Sequence, residues 1–103
     1  MPNTDISTRT RIAVNTAIAE PPMYRVIYVN DNKTSFEFVI SSLIEIFNYD
    51  VISAQNMAEE IHENDQAVVA VMPYEIAEQK TMEVLALARI NGFPLVVKVE
   101  ADV

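Results

Sequence analysis

Residues 24–47 read YRVIYV, NDNKTS, FEFVISSLIEIF, and the change of pattern inside this stretch decides the fold. Tyr24 to Val29 is β-branched or aromatic apart from Arg25, which is the composition of a strand. Asn30 to Ser35 is a polar connection. From Phe36 onward the apolar positions Phe36, Val39, Ile40, Leu43, Ile44 and Phe47 recur at steps of three and four. That spacing lays them along one stripe of a helix. Thr34 followed by Glu37 has the form of a capping box, in which hydroxyl and carboxylate satisfy amides that the first helical turn leaves free. The stretch is therefore strand, loop, helix.

The pattern continues downstream. Asp50 suits the N-cap of a second helix over about Val51 to Glu63. Gln66 to Met72 (QAVVAVM) is an apolar strand. Pro73 opens a third helix, a position where proline is tolerated, and this helix carries Ile76, Met82, Leu85, Ala86 and Arg89. Gly92, the one glycine of the chain, suits a left-handed helix cap. Pro94 to Val99 (PLVVKV) closes with a strand. The order β-α-α-β-α-β predicts an α+β two-layer sandwich: a three-stranded antiparallel sheet with three helices on one face.

Upstream, Met1 to Glu20 is rich in Asn, Thr and Ser, and Asp5 and Glu20 balance Arg9 and Arg11. Ile12, Val14, Ala17 and Ile18 offer one short apolar stripe, compatible with ordering on a partner. Pro21-Pro22 marks a stiff boundary. Residues 1–22 thus read as a flexible N-terminal extension, and residues 23–103 as the folded domain. No internal repeat or low-complexity segment is visible.

Composition narrows the function. The chain has 103 residues, enough for one domain with one modest core. It has no cysteine, so disulfides and thiolate metal sites are excluded. With one histidine, a zinc site would need carboxylates for its other ligands, and no metal or other cofactor is expected. Fifteen acids against seven bases give a net charge of -8, which repels phosphate backbones and disfavours nucleic acid. Such a surface suits cationic ligands, including a free peptide amino group, although solubility alone also explains it. No apolar run approaches the roughly 20 residues that span a bilayer, and the N-terminus lacks the basic start and apolar core of a secretory signal. A soluble, cytoplasmic protein is expected, or a stromal one if the source is a plastid.

No nucleophile elbow, phosphate loop or metal-ligand spacing appears, so an enzyme is not expected. Two features remain. Asn30-Asp31-Asn32 follows a strand directly, where a scaffold displays binding groups. Asn and Asp also favour ordinary turns, and from the triplet alone the turn is the preferred reading. His62 lies four residues after Ala58 and one after Ile61, which places a titratable edge on an apolar face. A histidine near a helix end is also favourable to the dipole while binding nothing. Glu75, Glu78 and Lys80, early on the third helix, have the same simple explanation.

A resemblance goes further. From Met23 to Val99 the chain resembles the ClpS adaptor family without a gap. The matching blocks are PPMYRVIYVNDN, TSFEFV at Thr34 to Val39, YDV at Tyr49 to Val51, EIAEQK at Glu75 to Lys80 and PLVVKVE at Pro94 to Glu100, with His62 at the family's histidine. The resemblance implies a monomeric, non-enzymatic adaptor. Such adaptors bind N-degrons, proteins that begin with Phe, Tyr, Trp or Leu, and pass them to the N-terminal domain of a ClpA or ClpC unfoldase. It implies that Asn30, Asp31, Asn32 and His62 receive the α-amino group. It implies a hydrophobic pocket of Thr34, Phe36, Val39, Leu43, Ala58, Ile61 and Leu95, with unfoldase docking through Glu75, Glu78 and Lys80. Three departures stand out: Asn32 replaces a second acid, and Phe36 and Ala58 replace bulky methionines at the pocket rim. The alternative is a docking domain of the same fold that has lost degron binding.

Overall fold

The computed structural model describes residues 21–103; the expectations for residues 1–20 lie outside the described residues. The elements are β1 (Met23–Val29), α1 (Phe36–Phe47), α2 (Val51–Asn64), β2 (Gln66–Pro73), α3 (Tyr74–Ile90) and β3 (Val96–Ala101). This is the expected β-α-α-β-α-β order. The sheet order is β2-β1-β3, and both pairings are antiparallel.

β1 is central and is the most deeply buried of the three strands. Tyr24, Val26 and Tyr28 face the helices, and Val26 and Tyr28 are fully buried. Tyr28 pairs with Ala67 and Val97, and Val26 with Ala70 and Val99. Between Val26 and Ile27 the partner on β2 steps from Ala70 to Val68, leaving Val69 as a bulge. Val69 is buried, and its carbonyl accepts a 2.6 Å bond from the Tyr49 hydroxyl. Ile27 is also buried although it alternates to the sheet's other face, between Val68 and Lys98. On that face Arg25 and Glu100 form an exposed pair at 3.4 Å, an arrangement that contributes little to stability.

α1 buries Phe38, Val39, Ser42, Leu43 and Ile46. Phe36, counted in the apolar stripe from its spacing, is exposed instead. The Thr34–Glu37 capping box does not form either. Ser35 is the N-cap, its hydroxyl accepting from the Phe38 amide at 3.0 Å. The Thr34 hydroxyl is engaged elsewhere, donating to Asp31 Oδ2 at 2.7 Å. The helix ends on Asn48, whose left-handed backbone (φ 60°) asparagine tolerates.

α2 begins after Asp50, whose carbonyl accepts from the Ala54 amide at 2.9 Å, and ends on Asp65 at φ 72°. α3 buries Ala77, Thr81, Val84 and Ala88, small residues that let it approach the sheet closely, whereas Ile76 and Met82 are exposed. Gly92 has φ 77°, and the Phe93 amide returns to the Ala88 carbonyl at 2.8 Å, as in a Schellman-type end. β3 starts two residues later than its composition suggests. Pro94 has no N–H to donate, and Leu95 turns into the core.

One polar pair crosses the core. Ser42 Oγ donates to the Val39 carbonyl at 2.9 Å and lies 2.8 Å from the Tyr28 hydroxyl, so the phenol donates to Ser42. Burial pushes the Tyr28 phenol far above its ordinary range, despite this bond, and it stays protonated.

Candidate functional site

The loop after β1 and the facing sides of α1 and α2 enclose a cavity of about 510 Å³, within the size range of small-ligand sites. It is lined by Asn30, Asp31, Asn32, Thr34, Phe36, Val39, Ala58, Ile61 and His62. Its two halves differ. Asn30, Asp31, Asn32, Thr34 and His62 are polar and come from the loop and the last turn of α2. Val39, Ala58 and Ile61 are almost fully buried and make an apolar wall. Phe36 stands at the rim, 44% exposed.

Local structure explains this placement. β1 ends at Val29, so the next residues leave the sheet at the open end of the helix pair. Asp31 then closes a tight turn: Oδ1 accepts from the amides of Lys33 (2.7 Å) and Thr34 (2.6 Å), and Oδ2 from the Thr34 hydroxyl (2.7 Å). Slight burial works against ionisation, but these bonds outweigh it and hold the Asp31 carboxyl below the usual carboxylate range. On α2, Ala58 and His62 share a face one turn apart, with Ile61 beside them. The Asn30 amide donates to the Asp65 carbonyl at 2.8 Å, joining the loop to the end of α2.

Nine of the residues singled out in the sequence come together here, and two do not. Leu43, one turn beyond Val39, is fully buried in the core, and Leu95 packs in the core beside β3; neither lines the cavity. Asp65 was not singled out. It acts through its backbone carbonyl, and side-chain identity carries no signal for that.

Asp31 is the one lining residue with a fixed charge, opposite an apolar wall. Acceptor atoms and one negative charge at the mouth of an apolar cavity suit a ligand with a cationic donor head and an apolar body. Among the described residues there is no cluster of three His, Asp or Glu able to hold a metal, and no helix long and apolar enough to cross a membrane.

The second surface singled out is on α3. Glu75 and Glu78 line a shallow groove of about 490 Å³ with Gln79, Met82, Glu83 and Ala86. Lys80 falls on a different side of the helix and does not line it. Tyr74 donates to Glu78 at 3.0 Å and meets Tyr24 edge-on at 4.9 Å. Pro21 and Pro22 lie against Tyr74, Glu75 and Ile76 in an adjoining depression, so the chain enters the domain beside this patch.

Comparison with known proteins defines the class. A family model described as ATP-dependent Clp protease adaptor protein ClpS matches residues 19–98. The chain belongs to the ClpS family, whose members are adaptors of a protease. The ClpS adapter of Treponema denticola is 43% identical over 81 residues, covering 79% of this chain and 80% of that protein. The ClpS adapter of Campylobacter jejuni is 36% identical over 94 residues, covering 91% and 98%. Among solved structures, Agrobacterium tumefaciens ClpS2 bound to L-phenylalaninamide superposes with a TM-score of 0.78 at 32% identity, covering 81% of this chain and all of that one.

Proposed function

We propose that the protein is a cytoplasmic adaptor that binds the first residue of N-degron substrates and delivers them to a ClpAP- or ClpCP-type protease. The carrying observation is the two-sided cavity, with a polar, negatively charged rim against the apolar wall of Val39, Ala58 and Ile61. An α-ammonium has three N–H donors and no acceptor, so its receptor must present acceptors. Asn30, Asn32 and His62 present them beside the negative charge of Asp31, and a bulky apolar first side chain fits the wall. Phenylalaninamide, the ligand of the Agrobacterium relative, has such an amine and such a side chain. On this reading Glu75, Glu78 and Lys80 meet the N-terminal domain of the unfoldase, and residues 1–22 serve delivery.

The test is a titration with peptides starting in Phe or Leu, each with a free or acetylated amino group. Acetylation removes the charge and leaves rim acceptors unpaired, so it should cost about 2–4 kcal/mol. Equal affinity for both forms would refute the proposal. Reversing the charge of Glu75 should stop delivery to the unfoldase while peptide binding persists.

A further inference from the structure

We infer that Asp31 is a positioning residue, organising the turn that carries Asn32 and Thr34 rather than receiving the bound amine itself. This rests on the reading of the cavity as an amine site. A carboxylate offers about four acceptor positions. Three are filled from within the loop: Oδ1 by the amides of Lys33 and Thr34, and Oδ2 by the Thr34 hydroxyl. All three distances are 2.6–2.7 Å, so Oδ1 is held toward the loop's backbone amides and Oδ2 toward the Thr34 side chain.

The consequence reaches the apolar wall. Because Thr34 gives its hydroxyl to Asp31, the N-cap of α1 passes to Ser35, which binds the Phe38 amide. The first turn of α1 then begins at Phe36, and this register sets Phe36 at the rim and Val39 on the wall. At the loop's other end the Asn30 amide is tied to Asp65. The rim is thus anchored at both ends. The amine is left to Asn30, Asn32 and His62, with the ionised Asp31 acting as a field from behind.

Three variants separate positioning from direct contact. In Asp31→Asn the carboxamide oxygen still accepts both amides and its NH₂ donates to the Thr34 hydroxyl, so the turn survives without the charge. A Phe-initiated peptide should bind Asp31→Asn within about threefold of wild type. Thr34→Val removes the hydroxyl at nearly constant shape and should weaken binding about tenfold, the scale of one lost charged hydrogen bond. Thr34→Ser should restore it. A direct amine ligand predicts the reverse, since Thr34→Val would free Oδ2 for the peptide. A loss of tenfold or more in Asp31→Asn, or wild-type affinity in Thr34→Val, overturns the inference. Amide hydrogen exchange gives a readout without peptide. Lys33 and Thr34 should be protected in wild type and Asp31→Asn and exposed in Asp31→Ala, whereas unprotected amides in wild type overturn the assignment. Failure of the amine reading shows separately, as equal affinity of wild type for free and acetylated peptides.

Discussion

The backbone N–H of Asn30 donates to the carbonyl of Asp65 at 2.8 Å, and this one bond joins the two halves of the cavity's polar rim. Asn30 opens the loop after β1. Asp65 closes the helix that carries His62. Loop and histidine are therefore held in register by main chain, independent of any side chain that touches a ligand.

Asp65 reaches this geometry with φ 72°, a region that costs a β-branched residue about 1–2 kcal/mol. Asp65→Val should lower unfolding free energy by about that amount and weaken peptide binding, whereas Asp65→Gly should leave both within about 0.5 kcal/mol. Chemical denaturation paired with peptide titration checks this. Wild-type affinity in a destabilised Asp65→Val would show that the tether does not position the rim.

His62 should contribute directly to binding. A ring nitrogen of its imidazole can accept from an ammonium, which an alanine methyl cannot. His62→Ala should weaken binding of Phe-initiated peptides about tenfold, the scale of one hydrogen bond to a charged group. Titration with such peptides checks this, and wild-type affinity in His62→Ala would remove the histidine from the site.

Ala58 forms the wall with 2% exposure, and its small side chain leaves volume that a longer one would fill. Ala58→Met should narrow the cavity and shift preference from aromatic first residues toward Leu. A change of one or two methylenes alters discrimination by about 1–3 kcal/mol, so the expected swing in the Phe-to-Leu ratio of dissociation constants is roughly tenfold. An untouched rank order would mean that residue 58 does not contact the first side chain.

The buried Tyr28–Ser42 pair should behave asymmetrically. Tyr28→Phe leaves Ser42 bonded to the Val39 carbonyl and should cost about 0.5–1.5 kcal/mol, one ordinary hydrogen bond. Ser42→Ala strands the Tyr28 hydroxyl in the core and should cost about 1–3 kcal/mol, the penalty of an unsatisfied buried donor. Thermal or denaturant unfolding orders the two, and a milder effect for Ser42→Ala would contradict the donor assignment.

Much of the fold was legible because composition and periodicity report burial directly. The β-branched and aromatic run of β1 and the three-and-four steps of α1 located both elements, and Asp50, Pro73 and Gly92 marked ends correctly. The sequence misled where a residue had two uses. Thr34 fits a capping box, but the nearer Asp31 carboxylate takes its hydroxyl and Ser35 caps the helix. Phe36 fits the apolar stripe, but it opens the helix and stands at the rim. On α3 the buried face consists of Ala77, Thr81, Val84 and Ala88, too small or too polar to outweigh Ile76 and Met82 on hydrophobicity alone. Leu95 was placed at the cavity by the resemblance and Leu43 because it lies one turn beyond Val39, and both pack in the core. Depth within a core is a three-dimensional property that spacing does not report.

The central place of β1 bears on how the chain acquires its structure. Arg25 and Glu100, neighbours across the β1–β3 ladder, are 75 positions apart, and everything between them must be threaded before that ladder can form. During synthesis β1 leaves the ribosome before β2 and β3 and acquires its β2 partner only after two helices. Its other edge stays open until β3 arrives, offering Val26, Ile27 and Tyr28 to any passing strand. Sheet completion is therefore the long-range, slow step expected of non-local pairing. The window before β3 docks is when the nascent chain is most exposed to mispairing.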